Sequence, residues 1–140
     1  MSSCIINKKH LPIVLVILDG DVKMVDLQLV MDEWESLYNT KTEFFFIFNT
    51  LKCGSFSVSY IFKLATFIKK MKSRPIQYLL RSIIIVDKSM TFERNIIKLI
   101  FSIQSPCAPI YLVENAEDSL DLHTKLLNNE EISPNIICYK

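Results

Sequence analysis

Pro12-Ile13-Val14-Leu15-Val16-Ile17-Leu18 runs without a polar residue and is followed at once by Asp19-Gly20-Asp21. Pro12 has no amide hydrogen for a ladder, so it belongs at the first position of a strand. Three further runs share this character: Phe44-Phe45-Phe46-Ile47-Phe48, Ser82-Ile83-Ile84-Ile85-Val86, and residues 108–113 around Ile110-Tyr111-Leu112-Val113. Strands of a parallel sheet read as continuous apolar runs because helices cover both of their faces. The stretches between the runs carry apolar residues at helical spacing, so strands and helices alternate. The expected class is α/β: a mainly parallel central sheet of about five strands flanked by four helices, in one domain over residues 1–140.

Leu27, Val30, Trp34, Leu37 and Tyr38 line one face of a helix expected over 24–38, with Asp26, Asp32, Glu33 and Ser36 opposite. A second helix ends near Lys72, with Ile61, Leu64, Ala65, Ile68 and Met71 as its buried stripe and Ser55 or Ser57 as its cap. A third starts at Ser89 or Thr91 and faces inward through Phe92, Ile96, Leu99, Ile100 and Ile103. Asn115 caps the fourth, and Asp118 suits its positive end. Cys4-Ile5-Ile6 reads as a short first strand, and the tail 135–140 as an added edge strand.

The net charge of +1 carries no message about polyanionic partners. Four separated cysteines form no CxxC pair, which points to reduced thiols in a cytoplasmic protein, with neither zinc nor disulfides expected. No apolar stretch approaches the roughly 20 residues of a membrane-spanning helix. Only two glycines occur, so no glycine-rich phosphate loop is possible, and no cofactor is expected. The abundance of isoleucine, lysine, phenylalanine and asparagine resembles the bias of AT-rich genomes such as those of large DNA viruses.

Ligands of open α/β sheets gather at the carboxyl ends of the strands. Those ends carry Asp19 and Asp21, Asn49 and Thr50, Asp87 and Lys88, and Glu114 and Asn115. An apolar strand running into Asp19-Gly20-Asp21 suggests a magnesium-dependent phosphatase of the haloacid-dehalogenase type. Lys23 stands where that motif wants threonine or valine, and Asp87 lacks a neighbouring carboxylate for the metal. A tight turn around Gly20 accounts for the same residues and is the stronger reading. Cys53 precedes a helix start that could lower its pKa, against the commoner role of a small buried hydrophobe. His123 reads as half-exposed surface on the last helix. Lys69, Lys70, Lys72 and Arg74 could meet phosphate head groups, or simply solvate a helix end. No aromatic is interleaved among them, so nucleic acid is not an expected partner.

The element order β-β-α-β-α-β-α-β-α, with Gly20-Asp21-Val22 after the second strand, resembles the STAS fold of anti-sigma-factor antagonists. In that fold the next strand ends in a polar residue and a loop opening the second helix, here Phe44 to Asn49 followed by Thr50 to Ser57. Leu79-Leu80-Arg81-Ser82-Ile83-Ile84-Ile85-Val86 and Pro109-Ile110-Tyr111-Leu112-Val113-Glu114-Asn115 look like the C-terminal half of the related CRAL-TRIO lipid-binding domains. Phosphorylation-regulated STAS proteins carry Asp-Ser or Asp-Thr at the second helix start. This chain has Cys53-Gly54-Ser55-Phe56-Ser57 there.

The resemblance implies a non-enzymatic interaction or regulatory module that binds a protein partner, or a second copy of itself. The expected contact residues are Ser55, Phe56, Ser57 and Tyr60, since aromatics supply anchors. The CRAL-TRIO likeness implies an alternative: a lipid or other hydrophobic ligand held near Phe92 and Ile96, with Lys69, Lys70, Lys72 and Arg74 at the head group or membrane surface. A phosphatase using Asp19 and Asp21 is the third reading.

Overall fold

The computed structural model describes residues 3–140. β1 (Ser3–His10) and β2 (Ile13–Gly20) form an antiparallel hairpin, and α1 (Met24–Asn39) leads to β3 (Phe44–Cys53). α2 (Val58–Lys72), β4 (Leu79–Ile85), α3 (Lys98–Ile103), β5 (Ile110–Val113), α4 (Ala116–Leu127) and β6 (Cys138–Tyr139) complete the chain. A wide π turn, Glu93–Ile97, runs directly into α3. The six strands lie in the sheet in chain order. β2 to β5 are parallel, and β6 adds an antiparallel edge from the tail.

Side chains alternate across the pleat, which divides the core into two layers. Val14, Val16, Phe44 and Phe46 meet α1, α2 and α3 through Trp34, Ile61, Ile68, Ile96 and Ile100. Ile47, Ile83, Ile85 and Val113 face the other way and receive Leu122 of α4. Helices therefore cover the sheet unequally, three on one face and one on the other. Over β1 and β2 the second face keeps Ile5 exposed and Ile13, Leu15 and Ile17 partly so. The rings of Trp34, Phe44 and Phe46 build the thick side, with Trp34 edge-on to Phe46 at 5.5 Å between centroids.

Several boundaries differ from the sequence expectation: β1 runs on past Ile6 to His10, and β4 begins at Leu79 before Ser82. β3 continues past Phe48 to Cys53, because Lys52 and Cys53 pair with Asp19 and Gly20 of β2 beyond a one-residue shift of register after Asn49. The third helix opens with the π turn, which adds a residue per turn and rotates its inner face. Ile96, Ile97 and Ile100 are buried as a result, while Leu99 and Ile103 point to solvent. Glu93, in that turn, is also buried and accepts a hydrogen bond from the Tyr139 hydroxyl of β6. Asn115 caps α4 as expected, its side chain accepting from the Asp118 amide at 2.8 Å.

Candidate functional site

Parallel strands in sequential order bring the starts of α1 and α2 to the same end of the sheet, beside the carboxyl ends of β2 and β3. The two loops there are tied together. The Ser55 amide donates to Asp21 Oδ1 at 2.9 Å, the Val22 amide to the Ser55 carbonyl at 3.0 Å, and the Gly54 amide to the Gly20 carbonyl at 2.7 Å. Gly20 adopts φ 80°, the left-handed region that favours glycine. Gly54 is needed for closeness: a Cβ there would run into Asp21 Oδ1 and lie 3.2 Å from two backbone atoms of the first loop. The hydrogen bonds from Ser55 hold the Asp21 carboxyl below its ordinary range.

This geometry bears on the aspartates. Asp21 is engaged as a brace for the second loop, and Asp19 is exposed at the strand end opposite Lys52. Among the described residues no group of three His, Cys, Asp or Glu side chains is placed to hold a metal ion. Asp87 likewise serves its own loop, accepting from the Thr91 amide and the Ser89 hydroxyl.

At the start of α2, Ser55, Ser57 and Ser59 are exposed, and the Ser57 and Ser59 hydroxyls bond each other at 2.9 Å. Ser57 takes the cap position without a side-chain bond to the helix. Phe56 and Tyr60 are half-buried; Phe56 lies edge-on to Tyr60 at 6.0 Å and to Phe92 at 6.3 Å. The outward apolar residues are others: Val58 and Phe62 on α2, 58% and 55% exposed, and Val25 and Leu29 on α1, 62% and 48% exposed. Each pair is spaced i, i+4; Val25 and Leu29 lie opposite the buried stripe of α1, and Val58 and Phe62 border that of α2. Spacing signals Val25 and Leu29 but not Val58, which stands three residues before Ile61 and seven before Ala65 and is exposed because it opens the helix.

The basic cluster is largely absorbed by the fold. Lys70 pairs with Glu35 at 2.7 Å, Arg74 donates to Asn39 and stacks over the Tyr38 ring, and Lys72 donates to Ser105. Lys69 is exposed. Cys53 is half-buried, and burial pushes its thiol up to about 11, opposite to the activation considered for a helix start. His123 also departs from expectation. It is buried against Phe45 at 4.9 Å, and desolvation with nearby Arg81 lowers its pKa. Phe92 and Ile96 do line an internal cavity, described below.

No protein-family model and no curated protein matches the chain. A solved structure does: an anti-sigma factor antagonist from Mycobacterium paratuberculosis, similar over 87% of this chain and 93% of that one, with TM-score 0.53 and 9% identity. The chain thus has a STAS-like α/β fold, as the element order implied. No helix of the described residues is long and apolar enough to cross a membrane.

Proposed function

We propose that this protein is a non-enzymatic interaction module that docks a protein partner on the end of the sheet where α1 and α2 begin. The observation that carries this reading is the set of outward apolar side chains Val25, Leu29, Val58 and Phe62 on two neighbouring helices. They flank the braced loop with exposed Ser55 and Ser57, while Phe56 packs against the core and Tyr60 lies edge-on to Phe56. Scattered apolar residues are ordinary on a surface, but paired ones on adjacent helix starts suit a partner's apolar anchor. The solved neighbour's name, an anti-sigma factor antagonist, is that of a protein that acts through other proteins, which supports the same reading.

A photo-crosslinking residue placed at Phe62, with a control at exposed Leu120 on α4, tests it in cells expressing the protein. Discrete adducts are expected from position 62 alone, and Val58→Glu should abolish them at an unchanged melting temperature. Identical adducts from both positions, or none from position 62, would rule the docking surface out. Adducts of twice the chain mass would identify the partner as a second copy.

A further inference from the structure

The layer between the sheet and α2/α3 is not fully packed. A cavity of about 110 Å³ lies there, walled by Trp34, Phe48, Ile68, Ile84, Ile96 and Ile100. Native cores seldom leave such a space, since each unfilled methylene forfeits contacts on every side. Phe56 and Phe92 line the end beneath the α2 loop, and Cys107 and Ala108 the end where the chain enters β5. From this space we infer a binding site for a compact apolar molecule, about one aromatic ring in size and carrying a single hydrogen-bonding group.

Size sets the class. An apolar cavity of roughly 150 Å³ admits benzene and stays dry, whereas pockets for larger ligands run to about 300–1,000 Å³. At about 110 Å³ the space is nearer in size to a single small ring than to a long acyl chain. The hydrogen-bonding group follows from the polar atoms in the wall. The Thr50 hydroxyl donates to the Ile85 carbonyl at 2.7 Å, and the Cys107 thiol to the Ile68 carbonyl at 3.4 Å. Trp34 Nε1, in the same wall, is buried without a hydrogen-bond partner among the described residues, and Ser82, also in the wall, is only 4% exposed. A buried hydroxyl is costly unless something bonds to it, and alanine or valine would suit an apolar strand better. Ser82 lies in β4 between Phe46 of β3 and Ile110 of β5, near the middle of the cavity floor. The site adjoins the braced loop through Val22 and Phe56, but its test does not depend on the docking surface.

Methyl and amide NMR of the full chain, titrated separately with phenol, benzene and dodecanoate, tests the assignment. Phenol and benzene should give saturable shifts at Ile84, Ile96 and Ile100, and dodecanoate none. Ala108→Leu fills one end and should abolish both titrations; should it fail to fold, Ser82→Val fills the space from the strand side. Ser82→Ala should weaken phenol about fivefold, the worth of one neutral hydrogen bond, and leave benzene unchanged. Absence of saturable shifts with both ring compounds, or shifts that survive the filled cavity, would overturn the site. Tighter binding of dodecanoate than of phenol would overturn the size class, and equal phenol affinity in Ser82→Ala would overturn the hydrogen bond.

Discussion

Asp21 reaches across 34 positions of chain to accept the Ser55 amide at 2.9 Å. That single carboxylate joins the loop after β2 to the loop before α2, and Gly54 makes the approach possible. The Asp-Gly-Asp sequence, which invites a catalytic reading, acts here as a turn and a brace.

Asp21→Ala should leave the sheet intact and loosen the second loop, seen as faster hydrogen exchange at Ser55. Gly54→Ala should do the same by pushing the carboxylate aside. Because both act on one contact, the double variant should lose little more than either single one. The bond also sets a pH dependence. Asp21 has a folded pKa below its unfolded value, so its contribution is complete above the ordinary carboxylate range and is lost as pH falls through the folded value. Protection at Ser55 that persists unchanged in Asp21→Ala would sink the idea.

Tyr139→Phe should destabilise the protein by about 1–3 kcal/mol, since it strips a buried Glu93 of its hydrogen-bond donor. Burial, with Glu93 beside it, raises the Tyr139 hydroxyl from 10.0 to about 12. A raised folded value means the stabilisation is whole below pH 10 and is lost as pH climbs toward 12. Urea unfolding across that range should show the gap between wild type and Tyr139→Phe closing. A constant gap would show that the phenol's proton is not involved.

His123 is buried in its neutral form against Phe45, with Arg81 nearby. Its folded pKa lies below the ordinary histidine value, so the unfolded chain binds the proton more readily. Stability should therefore be complete above the ordinary histidine range and fall as pH drops through the folded value. Among groups facing this ring from the sheet, Arg81 opposes protonation. His123→Leu should flatten the thermal-denaturation profile over that range; an unaltered slope would assign the acid sensitivity elsewhere.

Apolar runs located the parallel strands because a strand covered on both sides has no polar face to confuse it. They did not reveal how the helices divide between the faces. Ile13, Leu15 and Ile17 belong to such a run, yet they border solvent on the side that α4 does not reach. The end of β3 escaped notice because Asn49, Thr50 and Lys52 look like loop, and their ladder is set by β2 rather than by their own composition. The π turn at Glu93 left no local signature either. Its first residue, Glu93, is held by a partner, Tyr139, that lies 46 positions away. For the candidate site, the loop was legible and its exposed residues were not. Phe56 and Tyr60 were the evident aromatics, but packing beside Phe92 draws Phe56 inward and leaves Val58 and Phe62 outermost. The lysines of α2 were legible as charges; their ties to Glu35 and Ser105 depend on tertiary neighbours.

The order of strands in the sheet is the order in which a ribosome delivers them. Each strand from β2 to β6 pairs with the one before it, so none has to be threaded between two already joined. Such an order lets the sheet grow by accretion at one advancing edge, with assembly following synthesis. Every intermediate length exposes an unpaired rim at the growing edge as well as at β1, a hazard for a nascent chain. The two-residue β6, arriving last and antiparallel, leaves only a very short strand at that edge.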